Sequence, residues 1–262
     1  MSSSQADKAE RLRALHAGPG AFVIANAFDA GSAVLLEKLG FAALATSSGA
    51  AAGVLGRKDG ELSRDEALAH ARAIAAATEL PVSADLENGF GATPDDVAET
   101  IRLAGATGIV GASIEDYTGA KATGLFPIDV AAARVAAAVR AARALPFPFA
   151  ITARAENFFR GPADLADTIA RLKAYEAAGA DVLFAPALPD LDAVRAVCAA
   201  VGKPVSFMVG MKGKSWDVAT LEAAGVRRIS LATSLWRAAM AGLRSAAEEV
   251  RATGTFGYLD RL

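Results

Sequence analysis

The chain has 262 residues, of which 53% are apolar but only 6% aromatic, enough for a substantial core of small side chains within one large domain. A formal net charge of −2 and a pI near 5.8 exclude the electropositive footprint of a nucleic-acid or acidic-membrane binder, so the expected partner is a small molecule. The single cysteine, Cys198, excludes a disulfide framework and fits a reducing compartment. It falls in a helical pattern over 191–198 and reads as a packing residue rather than a nucleophile. The stretch 1–10 is polar and lacks the apolar core of a secretion signal, and no apolar run reaches the ~20 residues that span a bilayer. The expectation is a cytoplasmic protein with no membrane attachment.

In chain order, an N-terminal segment over 1–20 holds a short amphipathic helix around 8–16, and strand-like and helix-like stretches then alternate. The predicted strands are 22–27, 43–47, 81–87, 108–116, 149–156, 182–186, 204–209 and 227–233. Between them, Ser63-x-x-Glu66 has the form of a capping box. Thr93-Pro94-Asp95-Asp96 reads as an N-cap with proline at the first helical position and acids near the positive end of the helix dipole. Gly40, Gly179 and Gly225 each follow a helical run, as residues that end helices do. Eight apolar strands, each followed by a helix, predict a parallel sheet closed as a (β/α)8 barrel of the TIM type over 1–262, with a last helical segment over 234–262. A doubly wound open sheet would require a glycine fingerprint after the first strand, and Asn26-Ala-Phe-Asp29-Ala-Gly31 is not one.

In such a barrel the active site lies at the C-terminal ends of the strands. There the second strand ends in Thr46-Ser47-Ser48-Gly49, whose small residues let backbone N–H groups approach a ligand, and its loop carries Asp59. The third delivers Asp85 and Glu87, which strand alternation would place on one side. The fourth delivers Glu115 and Asp116, and the fifth Arg154 and Glu156. Asp59 alone could be a cap, Asp116 a local cap or salt-bridge partner, and Ser47 to Gly49 an ordinary turn. Asp85, Glu87 and Glu115 are harder to explain as scaffold, because three acids on adjacent strands without matching bases repel one another. The two histidines, His16 and His70, fall in helical segments, so oxygen ligands point to Mg2+, with Mn2+ as a substitute, rather than to an imidazole-bound metal. Arg154, on a strand expected to be buried, needs an anion, which a substrate carboxylate would supply.

Taken together, Asn26-x-x-Asp29-x-x-Ser32-Ala33, Thr46-Ser-Ser-Gly49, Gly56-x-x-Asp59, Asp85-x-Glu87-x-Gly89-Phe90-Gly91, Ile114-Glu115-Asp116, Ala153-Arg154 and Gly179-Ala-Asp181 resemble the isocitrate lyase/phosphoenolpyruvate mutase superfamily over nearly the whole chain. The resemblance implies a (β/α)8 barrel whose last helix is swapped with a neighbouring subunit in homodimers or homotetramers. It implies Mg2+ held directly or through water by Asp59, Asp85, Glu87 and Glu115. It implies a 2-oxo acid held by Ser47, Ser48, Gly49 and Asp59 and faced by Arg154, with chemistry passing through an enolate.

The loop after the fourth strand, Tyr117 to Phe126, separates the members of that superfamily. Lyases that cleave isocitrate or methylisocitrate carry a Cys and a His where this chain has Thr123 and Leu125, and a threonine hydroxyl is too weak an acid to stand in for the thiol. The mutase carries an Asn at the position of Thr123 and a His at that of Pro186. Lys121 matches both groups, so Lys121, Thr123 and Arg154 are the candidate catalytic side chains. The expected function is a Mg2+-dependent lyase acting on a small 2-oxo or 2-hydroxy dicarboxylate such as oxaloacetate, by C–C cleavage or decarboxylation through a stabilised enolate. The alternatives are C–P chemistry on phosphoenolpyruvate or phosphonopyruvate, and a paralogue that binds oxo-acids without turning them over.

Overall fold

The computed structural model describes residues 3–261, with no account of the Arg261 side chain, so positions 1–2 and 262 of the two expected terminal segments lie outside the described residues. The strands form where expected but are shorter: β1 (Phe22–Asn26), β2 (Leu44–Ala45), β3 (Val82–Asp85), β4 (Gly111–Glu115), β5 (Ala150–Arg154), β6 (Val182–Phe184), β7 (Val205–Met208) and β8 (Arg228–Ser230). They pair in sequence order, all parallel, and β8 returns to β1, which closes the barrel.

The helices are α1 (Gln5–Ala17), α2 (Ala30–Lys38), α3 (Ser48–Val54), α4 (Arg64–Ala76), α5 (Pro94–Gly105), α6 (Ile128–Arg143), α7 (Asn157–Arg160), α8 (Leu165–Ala177), α9 (Leu191–Ala200), α10 (Val218–Ala223) and α11 (Ser234–Thr253). The predicted starts are real. The Ser63 and Thr93 hydroxyls accept from the N–H groups of Glu66 and Asp96, and each of those acids accepts back from its cap. Gly40, Gly179 and Gly225 take φ of 85°, 95° and 96°, a region that β-carbons disfavour.

The alanine-rich composition has a packing consequence. Helices α5 and α6 pack through Ala104, Gly105, Ala138 and Ala142, all buried, and a β-carbon on Gly105 would stand 2.6 Å from the Leu145 side chain. Small side chains let helices approach closely, so density comes from proximity rather than bulk. Helix α1 covers the end where the strands begin. Its Leu12 is fully buried in a cluster with Ile24, Ala45 and Val110, and His16 sets its ring edge-on to Phe22 at 5.2 Å. Burial, with Arg228 nearby, pushes the His16 imidazole down to about 3, so it is neutral there.

No residue of α11 is buried, and Met240, Leu243 and Val250 lie exposed along it. Among the described residues no helix is long and apolar enough to cross a membrane. Cys198 is half-buried on α9, and burial pushes its thiol up to about 11, as suits a packing residue.

Candidate active site

One expectation about local geometry fails in a useful way. Asp85 and Glu87 were expected on one face of the third strand, but β3 ends at Asp85, and Glu87 takes a left-handed backbone (φ 48°), followed by Gly89 (84°) and Phe90 (56°). Its carbonyl still accepts from the Glu115 N–H at 2.9 Å, so the chain turns while remaining tied to β4. A non-glycine residue at positive φ is strained and persists only where its surroundings impose it. The two acids meet through that turn, not through strand alternation.

At the end of β2, Ser47 is extended (φ −139°, ψ 128°) and caps α3 without a side-chain bond. Ser48 and Gly49 therefore open a helix, where N–H groups have no intrahelical acceptor. The Ser48 N–H donates to Asp85 Oδ2 at 3.1 Å. A β-carbon on Gly49 would lie 3.2 Å from Thr233 and 3.5 Å from the Asp59 carboxyl, so the backbone approaches its neighbours as only glycine easily permits. Asp85 Oδ1 also accepts from Ser113 Oγ at 3.3 Å.

From β5, Arg154 enters this acid group almost fully buried. Its Nε–H donates to Glu156, and Nη1 stands 3.5 Å from Glu115 and 3.8 Å from Asp85. Burial alone would lower its proton affinity, but Glu156, Glu115 and Asp85 more than reverse that and hold it charged. Arg160, on α7, pairs with Asp59 at 2.6 Å and lies over the Tyr117 ring at 5.0 Å. Asp116 is scaffold, as one sequence reading had it. Its carboxylate accepts from Tyr175 OH (2.5 Å), Arg171 (3.1 Å) and the Glu156 N–H (2.8 Å), which fixes the backbone on either side of Glu115 and Arg154.

The acids are not neutralised by these arginines. Five carboxyls (Asp59, Asp85, Glu87, Glu115, Glu156) face two guanidiniums. Burial, then Asp85 and Asp59, push the Glu87 carboxyl up to about 7, and burial, with Glu156 and Asp85, raises Glu115 well above the carboxylate range against the pull of Arg154. Among the described residues no three acidic, histidine or cysteine side chains stand close enough to form a ready coordination sphere; Arg154 stands near both Asp85 and Glu115, and Arg160 near both Asp59 and Glu156. The oxygen-only donor set with surplus negative charge nonetheless suits a hard divalent cation.

The expected residues divide between two adjoining cavities. One, of about 200 Å3, is lined by Ser47, Ser48, Gly49, Asp59, Asp85 and Arg154 among others. The second, of about 150 Å3, is lined by Glu87, Glu115, Tyr117 and Arg160 and shares Ser48 and Asp59 with the first. Lys121 and Thr123 are not brought to either. Both are exposed, and Thr123 pairs its hydroxyl with that of Thr118 at 2.6 Å on the wall of a separate open groove. Two arginines escaped sequence reasoning. Arg160 carried no signal beyond its place in the loop after the fifth strand. Arg228, a charged residue on a strand expected to be buried, carried the same signal as Arg154.

The chain resembles known proteins over most of its length. The sequence profile of the phosphoenolpyruvate phosphomutase family matches residues 12–251. The chain is 32% identical to an oxaloacetate decarboxylase of Chromohalobacter salexigens, over 86% of this chain and 78% of that one. A crystal structure from Burkholderia cenocepacia J2315, provisionally assigned as a lyase/mutase, is 52% identical with a TM-score of 0.95, covering 98% of this chain and 92% of that one. A 2,3-dimethylmalate lyase structure, itself a member of the PEP mutase/isocitrate lyase superfamily, is 29% identical with a TM-score of 0.86 over 95% and 89% of the two chains. A barrel with these acids at its mouth and a family match over nearly its full length belongs to the phosphoenolpyruvate phosphomutase family, within the isocitrate lyase/PEP mutase superfamily.

Proposed function

We propose that this superfamily enzyme is a Mg2+-dependent lyase that cleaves or decarboxylates a small 2-oxo or 2-hydroxy dicarboxylate, with oxaloacetate the first substrate to test. The observation that carries the reading is the surplus of carboxyls shared between two adjoining cavities, one of which also presents helix-opening N–H groups and a buried arginine. Asp59, Asp85, Glu87 and Glu115 would hold Mg2+, or Mn2+ in its place. When bound, the ion supplies a Lewis acid for the substrate's oxygens and offsets the charge that builds on them.

The chain's own residues do the rest. The Ser47 to Gly49 turn offers donors to the 2-oxo carboxylate, in the manner of helix N-termini. Arg154, held charged among acids and backed by the Phe184 ring at 5.3 Å, faces the oxygens on which charge develops. A volume near 200 Å3, below the range usual for drug-sized ligands, limits the substrate to a few carbons. Departure of CO2 needs no thiol acid in the loop, so Thr123 and Leu125 in place of Cys and His favour decarboxylation over isocitrate cleavage. The resemblance of the dicarboxylate-acting relatives to this chain supports the same substrate class. In this reading the exposed apolar face of α11 meets a second copy of the chain.

Oxaloacetate turnover measured with Mg2+ and with excess chelator tests the proposal. Chelation should abolish activity, and Asp85→Ala should lower it by at least ~100-fold, the scale of losing one electrostatic contact to the transition state. Activity that survives both would overturn it. The phosphomutase family match favours a second reading, C–P chemistry, which phosphorus NMR of phosphonopyruvate turnover would reveal.

A further inference from the structure

Arg228 is a buried cation that the chemistry above does not use. It opens β8, is 5% exposed, and lines the same cavity as Ser47, Asp85 and Arg154. One guanidinium N–H donates to Thr152 Oγ1 at 3.0 Å, while the buried Nε–H has no acceptor. Among the described residues it forms no ion pair. Arg154, similarly buried, has three acids around it. Ser206, paired with Arg228 in the β7–β8 register, also has a buried hydroxyl without a partner.

A guanidinium taken out of water without an anion is costly, and proteins retain such groups where a ligand completes them. Burial lowers the Arg228 proton affinity only to about 10, with Asp85 opposing the shift, so the charge persists at neutral pH. Because Arg228 rises from the first residue of β8, whereas Ser47 to Gly49 follow the end of β2, the two lie at different depths of one cavity.

Resting on the reading that this cavity binds an oxo- or hydroxy-acid, we infer that Arg228 receives the distal carboxylate of the ligand, so that the site selects small dicarboxylates over monocarboxylates of the same length. The proximal carboxylate lies against the Ser47 to Gly49 turn, and the distal one reaches down the barrel to the Arg228 guanidinium.

Calorimetric titration of the Mg2+-loaded protein with malate and with 2-hydroxybutyrate, which replaces the distal carboxylate by a methyl group, tests this. Unaltered protein should bind malate at least ten-fold more tightly, and Arg228→Met should bring the ratio within three-fold by weakening malate alone. Arg228→Gln keeps a donor inside the barrel and gives the same reading if Arg228→Met does not fold. A wild-type ratio near one, or a ratio unchanged in the variant, overturns the inference and leaves the proposed chemistry standing. Failure of the unaltered protein to bind either acid overturns both.

Discussion

The loops that follow β3 and β4 leave neighbouring strands, yet only the first is held along its backbone by a side chain from another element. Residues 86–92 are gripped from below by Arg134 of α6, which is 1% exposed and donates to the carbonyls of Ala92 (2.7 Å), Asn88 (2.6 Å) and Gly91 (2.8 Å). Thr100 adds a bond to the Gly89 carbonyl at 2.7 Å. Residues 117–126 are held from outside only at their ends, where Arg160 lies over the Tyr117 ring and Arg171 donates to the Phe126 carbonyl at 2.8 Å. Between them the loop folds on itself, with a Tyr117–Leu125 bridge and a Thr118 N–H to Gly124 carbonyl bond of 2.9 Å, and leaves Lys121, Ala122 and Thr123 exposed. The first loop brings Glu87 to the acid cluster despite its strained backbone, whereas the second carries its candidate residues away. A side chain serves a site only as well as its backbone is anchored.

The largest effect should come from removing the anchor. Arg134→Met leaves three backbone carbonyls without their donor and should cost about 3 kcal/mol, a fall in Tm of roughly 6–12 °C for a chain of this size, with loss of oxaloacetate turnover. A melting curve within 2 °C of the unaltered protein would show that the loop needs no clamp.

The next effect is a pH dependence of the anchored loop. Glu87 titrates near 7 in the folded, metal-free protein against an ordinary value of 4.5, so between those values the folded state binds more protons and stability falls as pH rises. The expected loss is about 2 kcal/mol after allowance for partial exposure. His16, held near 3 by burial, contributes the opposite slope between about 3 and 6.5. The difference between unaltered protein and Glu87→Gln in denaturant titrations at pH 4.5 and 7 therefore isolates the Glu87 contribution. Mg2+ should remove it, and a flat difference would refute the crowding of Asp59, Asp85 and Glu87.

The smallest effect belongs to the exposed tip of the second loop. Lys121→Ala should change stability by less than about 0.5 kcal/mol, and limited proteolysis should nick 119–124 before 86–92. Protection of both loops alike would erase the contrast.

Much of this arrangement was legible in the chain. Capping signals and C-terminal glycines placed the helices, and the alternation of apolar strands with helices specified a closed parallel sheet, because those signals act within a few residues. The acids and Arg154 were legible because charge at the end of an apolar strand conflicts with its surroundings. Glu87 was placed near Asp85 for the wrong reason, since the strand ends two residues before Glu87. The exposure of Lys121 and Thr123 and the intrusion of Arg160 were not legible, because no local pattern reports how a long loop settles.

Local sequence thus determined the element order, the caps and the residue types gathered at the strand ends. Tertiary structure alone decided that Arg134 binds the backbone of the first loop and touches the second only at Phe126, that Arg154 and Arg160 lie among the acids, and that Arg228 remains without an ion-pair partner among the described residues. The physical reason is range. Helix ends and strand periods arise from neighbours along the chain, whereas charge compensation is set by side chains from β3, β4, β5, β8, α7 and the loop that carries Asp59, which meet only when the barrel closes.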